Sequence, residues 1–320
     1  MTSTLRARRL GARATGPAPD LRTQVGSVAL PNPVMTASGT AGHGAELASY
    51  FDLASLGAVV VKSLSAEPWP GNPAPRVHET TAGMLNAVGL QGPGVAAWLR
   101  DDLPALQATG ARVVASIWGR SVADYERAAT LLRDAPGAVV AVEVNLSCPN
   151  LESRADMFAH SAAATEDAMA ATAGCGLPRW AKLSPNVADL ADIAGAAARG
   201  GAEAVTLVNT VLGMAVDVET RRYRLANRGG GLSGPAIHPI AVRAVHDVHE
   251  AHPELPIVGV GGVSSGVDAV ELLLVGACAV QVGTATFADP AASARVLTEL
   301  GDWCRRHGVQ ALGDVIGGIA

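Results

Sequence analysis

The chain has 320 residues, 49% hydrophobic and 17% charged, with a formal net charge of -5. This is the composition of a globular protein with a large buried core, and no apolar run reaches the roughly 18 to 20 residues that crossing a bilayer needs. An acidic balance, with only the first 22 residues basic, also argues against a nucleic-acid groove.

In chain order, the first 22 residues carry Arg6, Arg8, Arg9 and Arg13 but no apolar h-region. They do not read as a secretory signal and are expected to form a disordered basic tail, leaving residues 23–320 as one domain. Short β-branched runs then recur between Ala- and Leu-rich stretches of helical length. They are PVMTAS at 33–38, AVVVK at 58–62, RVVASI at 112–117 and VVAVEVN at 139–145, followed by RWAKLS at 179–184, AVTLVN at 204–209, PIVGVGG at 256–262 and AVQVGT at 279–284. Eight apolar strands alternating with helices imply a parallel sheet covered on its faces, and right-handed crossovers close eight such units into a (β/α)8 TIM barrel; an open doubly wound sheet is the competing arrangement. Two stretches, 63–97 and 210–235, are too long for ordinary βα loops and hold many Gly, Pro and Asn residues. Both follow the C-terminal end of a predicted strand, where barrel active sites are built, so they are expected to serve as functional loops or short strands at the mouth.

Residues at or just past the strand ends would converge on that mouth: Ser38, Lys62, Cys148 and Lys182, then Asn209 with Thr210, Gly261 with Gly262, and Gly283 with Thr284. An ammonium at the end of a buried strand is costly unless something anionic meets it, so Lys62 and Lys182 point either to a ligand or to structural salt bridges. The glycines after the seventh and eighth strands suit a phosphate bound by backbone N–H groups, although tight turns alone would also explain them. Cys148 stands in NLSCPN between Asn145 and Asn150, without an adjacent His or a metal partner. Placed over an acidic carbon, this thiol is a candidate general base, with a buried structural cysteine as the plainer alternative. The four cysteines show no C-x-x-C spacing, so neither a zinc nor an iron–sulfur site is expected, and their sparse use suits a reducing cytoplasm.

The motifs ASGTAGHG, GNPAPRVHETTAGMLNAVGLQGPG, NLSCPN, KLSPNV, VNTVLGMAVDVETRRYRLANRGGGLSGPAIHP, GVGGV and VGTATFADP together resemble the class 1 dihydroorotate dehydrogenases, from about Ser27 to Pro290. GMLNAVGLQGPG and GGLSGPAIHP look closest to the class 1B catalytic subunit. The resemblance implies FMN in the barrel mouth, with its phosphate at Gly261, Gly262, Gly283 and Thr284 and with Gly234 and Val208 nearby. It implies that Ser38, Lys62, Ser63, Asn145 and Lys182 line the flavin, with Ser116 where the family usually has Asn. Dihydroorotate would meet Lys62, Asn86, Ala87, Val88, Gly89 and Leu90, and also Asn145, Asn150, Asn209 and Thr210. Cys148 would take the C5 proton while hydride passes from C6 to flavin N5, giving orotate in pyrimidine biosynthesis.

The same resemblance implies a homodimer and a partner subunit that carries FAD and an iron–sulfur centre. Trp118 and the segment LESRADMFAHS, with Arg154 and Asp156, depart from the family pattern. They keep open a relative acting on a different cyclic amide, and a flavin-binding subunit without turnover stands as a third reading.

Overall fold

The structure is a computed structural model that describes residues 18–147 and 157–319. All eight predicted strands form: β1 (Val34–Thr36), β2 (Val59–Val60), β3 (Val113–Ile117), β4 (Val139–Asn145), β5 (Arg179–Lys182), β6 (Ala204–Leu207), β7 (Ile257–Val260) and β8 (Ala279–Val282). They make one parallel sheet in the order β1-β8-β7-β6-β5-β4-β3-β2. A parallel bridge between Met35 and Ala58 joins β1 to β2 and closes the ring. The open doubly wound alternative is thereby excluded. Most predicted strands overran the ladder by two residues at the C-terminal end, because the chain leaves the sheet there to enter the mouth.

Alternation along each strand sorts side chains between two cores. One set faces the surrounding helices. The other fills the barrel floor, where Met35, Val60, Val114, Ala141, Trp180, Ala204, Val258 and Ala279 pack in one buried cluster. A hairpin, Thr23–Val25 paired antiparallel with Val28–Leu30, caps this floor with Val25, Val28 and Leu30. Its two-residue turn begins at Gly26, whose φ of 58° suits glycine. The expected tail boundary at residue 22 therefore lies too far along the chain. Asp20 already donates its N–H to Gln310 O at 2.8 Å and accepts from Leu312 N at 2.9 Å. Residues 1–17 lie outside the described residues.

The two long insertions meet each other at the mouth. Val77–Thr80 and Gly83–Asn86 come from the first, Val211–Met214 and Gly229–Ser233 from the second, and together they form a four-stranded antiparallel sheet. The central contact pairs Gly231 with Asn86 and Leu232 with Leu85. Leu85 and Leu232 pack beneath this sheet with Ala87 and Leu225. Among the described residues, no helix is long and apolar enough to cross a membrane.

Candidate active site

The barrel mouth and the insertion sheet enclose a cavity of about 600 Å³, within the range of small-molecule and cofactor sites. Lys62 follows β2, Lys182 ends β5 and Asn145 ends β4, so three different strands deliver polar side chains to its floor. Ser38, Ser63, Val208, Asn209 and Thr210 line it from neighbouring strand ends, and Asn86, Ala87, Val88, Gly89 and Leu90 line it from the first insertion. Gly234, Gly261, Gly262, Gly283 and Thr284 form the far wall.

A chain of hydrogen bonds fixes the floor. Asn209 Nδ2 donates to Asn145 Oδ1 at 3.2 Å, and Asn145 Nδ2 donates to Ser63 Oγ at 3.3 Å. Ser63 Oγ lies 2.9 Å from both Ser38 Oγ and Ser116 Oγ. Ser116 itself does not line the cavity, contrary to expectation. It is fully buried one layer below, because a hydroxymethyl group on β3 ends at Ser63 instead of reaching the mouth. Trp118 is also kept out of the cavity: its ring meets Trp69 edge-on at 5.9 Å, and Arg120 lies over Trp69 at 4.4 Å. The Trp118 side chain thus braces the first insertion.

The glycine wall is a close backbone approach. Gly262 has a φ of +69°, and a Cβ there would fall 2.6 Å from His238 Cβ and 3.0 Å from the Gly234 carbonyl oxygen. His238 Nδ1 donates to Gly261 O at 2.8 Å, and Thr284 Oγ1 donates to Ser233 Oγ at 2.8 Å. Such a cradle leaves main chain, with no side chain in the way, facing the cavity; it suits an anionic group such as a phosphate.

Cys148, Asn150, Arg154 and Asp156 lie outside the described residues, but the chain on either side of them is well held. Tyr125 OH donates to Asn145 O at 2.7 Å, and its ring packs edge-to-face on Phe158 at 5.1 Å. Ala159 N donates to Leu146 O at 3.0 Å. Ser147 and Met157, the residues flanking the span 148–156, both line the cavity.

Several contributors went unmarked in the sequence. Asn186 Nδ2 donates to Thr210 O at 3.0 Å and so steadies a predicted substrate residue, while Asn72 Nδ2 donates to Ala87 O at 3.0 Å. Glu143 and Gln281 point into the barrel under the cavity, both fully buried. Glu143 was legible by period two from Ala141 and Asn145 on the same strand. Burial pushes the Lys182 ammonium below the ordinary lysine value, while the Glu143 carboxylate acts in the opposite direction.

Residues 20–303 match the family model described as dihydroorotate dehydrogenase. The chain belongs to the dihydroorotate dehydrogenase family. Among the similar proteins are several that bear the name dihydroorotate dehydrogenase B (NAD(+)), catalytic subunit. That of Desulforudis audaxviator is 48% identical over 92% of this chain and 95% of its own length. Those of Alkaliphilus oremlandii and Geobacter sp. strain M21 are each 44% identical, over 93% and 94% of this chain and 98% of their own length. The TIM barrel is the family's fold, the class 1B resemblance holds, and the chain is an oxidoreductase of this family.

Proposed function

We propose that this chain is the catalytic subunit of a B-type dihydroorotate dehydrogenase, holding FMN in the barrel mouth and oxidising (S)-dihydroorotate to orotate in pyrimidine biosynthesis. The observation that carries the reading is the convergence of Lys62, Asn145, Lys182 and Asn209 from four separate strand ends onto one cavity walled by glycine backbone. The barrel from Asp20 onward acts as the FMN-binding unit.

The cradle of Gly234, Gly261, Gly262, Gly283 and Thr284 would hold the FMN phosphate, and Ser38, Ser63, Lys182 and Val208 would line the ring. When bound, FMN supplies the acceptor, at N5, for the hydride leaving C6 of dihydroorotate. Lys62 meets the substrate carboxylate, while Asn86, Asn145, Asn150, Asn209 and Thr210, with the backbone of 87–90, match the N–H donors and carbonyl acceptors of its ring. Cys148, as thiolate, takes the proton from C5. The ammonium of Lys182 offsets the negative charge that arrives with the hydride.

The relatives' name, catalytic subunit, supports a second subunit carrying FAD and an iron–sulfur centre that passes electrons to NAD. A homodimer and a cytoplasmic setting complete the proposal. The test is anaerobic mixing of purified protein with dihydroorotate while flavin absorbance is followed. Rapid bleaching in the native protein, lost in Cys148→Ala, is expected. A flavin-loaded protein that dihydroorotate fails to bleach would refute the substrate, and one that bleaches equally fast in Cys148→Ala would remove the thiol from the mechanism.

A further inference from the structure

The barrel interior between the apolar floor and the cavity holds a polar layer that the proposed reaction does not use. Glu143 is fully buried and does not line the cavity. A carboxylate in such a place is costly unless its oxygens are satisfied. Gln281 Nε2 donates to Glu143 Oε2 at 2.7 Å, and Ser116 Oγ donates to Glu143 Oε1 at 3.4 Å. Lys182 Nζ in turn donates to Gln281 Oε1 at 3.4 Å.

The Gln281 amide is directional. With its NH2 committed to a carboxylate, its carbonyl oxygen is the end presented to the lysine. The flipped amide would set carbonyl against carboxylate and NH2 against ammonium, repulsive at both ends. The carboxylate of Glu143 therefore decides which end of the amide Lys182 meets.

We propose that Glu143 is a positioning residue for Lys182, orienting the Gln281 amide so that the lysine ammonium is held at the cavity floor. Among the described residues, Glu143 is the charge that acts on Lys182, and it opposes the burial that favours the neutral amine. Thr206, also buried, is the neighbouring residue in register with Lys182 on β6, and Asn145 is its counterpart on β4. Both are neutral. The inference concerns the chain itself; its consequence for bound FMN rests on the proposed function.

The first readout needs no cofactor: the pH dependence of Lys182 acylation by a small amine reagent in ligand-free protein, read by peptide mass spectrometry. In Glu143→Gln the midpoint is expected to move to lower pH, and an unchanged midpoint overturns the inference. Glu143→Asp, which keeps the charge on the same strand, should restore most of the native profile. A denaturation cycle with Lys182→Met is run alongside, in which Glu143→Gln should destabilise the native background far more than the Lys182→Met background. Should Glu143→Gln alone not fold, folding of the double variant supports the pairing, and failure of both overturns it.

The second readout is the midpoint potential of bound FMN. Removing a buried negative charge by itself would raise that potential. Losing the hold on the lysine charge lowers it, so Glu143→Gln is expected to lower the potential in the native background and to raise it in Lys182→Met. A rise in both backgrounds overturns the positioning role. A native protein that binds no FMN would defeat the proposed function, while the acylation profile would still decide the role of Glu143.

Discussion

Replacing Gly262 by Ala isolates the glycine wall. At a φ of +69° the new residue sits in the left-handed region, which costs an L-residue about 1–2 kcal/mol. Its methyl would lie 2.6 Å from His238 Cβ, 3.0 Å from His238 Cα and 3.0 Å from Gly234 O. Carbon atoms in good contact sit about 3.5–4.0 Å apart, so roughly 1 Å must be found. The atoms in the way belong to main chain and to a Cβ, not to the far end of a flexible side chain. The start of the helix His238–Ala251 must therefore move, an overpacking that costs about 1–3 kcal/mol.

Together the two effects amount to about 2–5 kcal/mol, a fall in Tm on the order of 3–7 °C for a chain of this size. Under the proposed function the same displacement opens the phosphate cradle and weakens FMN binding. Gly283→Ala is the control: its Cβ would meet Ala37 Cβ at 3.3 Å and Thr40 Cγ2 at 3.8 Å with no positive φ, so its melting point should fall much less. Calorimetry of the ligand-free proteins and FMN titration are the assays. A Gly262→Ala protein that melts with the native one would refute the strain argument, and one that binds FMN normally would refute the cradle.

The remaining predictions concern the thiols, the stem and the floor. Cys175 and Cys304 are buried, and the Cys278 thiol is pushed up to about 11 by burial, so none should react quickly with a thiol reagent near neutral pH in the folded protein. Any fast-reacting thiol should vanish in Cys148→Ala, and persistence of fast labelling there would refute the assignment. Tyr125→Phe removes the bond to Asn145 O and should cost about 1–3 kcal/mol in chemical denaturation, with, under the proposed function, a slower flavin reduction as the end of β4 loosens; native stability would show that the bond carries no weight. The Lys182 ammonium is held below its ordinary value by burial, and under the proposed function the electron-rich acceptors of the flavin ring it lines favour the charged form, so binding takes up a proton in that window. FMN affinity should therefore weaken as pH rises from the depressed value of Lys182 towards its value in the complex, and stay flat on its account at lower pH. Loss of this slope in Lys182→Met is the check, and an identical slope there would assign it elsewhere.

The eight strands were legible because β-branched runs buried on both faces leave a continuous apolar signature, and their order follows from short right-handed connections. The residues at their ends were legible for the same reason: a Lys or Asn closing an apolar run stands out. Depth was not. The resemblance puts Ser116 beside the flavin, but whether its hydroxyl emerges or stops below depends on the stagger of neighbouring strands, which no single strand records. Glu143 carried a usable signal in the alternation Ala141, Glu143, Asn145, and only the meeting of three strands shows Gln281 turned towards it. Short strands in the two insertions were expected, but their pairing with each other left almost no trace, because Gly229, Gly230 and Gly231 have no side chains to alternate and their partners lie far away in the chain.

That distance bears on how the molecule comes together. Asn86 and Gly231, paired in the insertion sheet, are 145 positions apart, so the wall facing the barrel floor cannot form until β2 and β6 have both taken their places. Loop-closure entropy places such a pairing late in folding. During synthesis a ribosome-bound chain would thus complete most of its barrel while the pocket still lacks a roof. Under the proposed function, FMN arriving then would favour roof closure by mass action, so refolding with FMN present should return more closed protein than refolding without it.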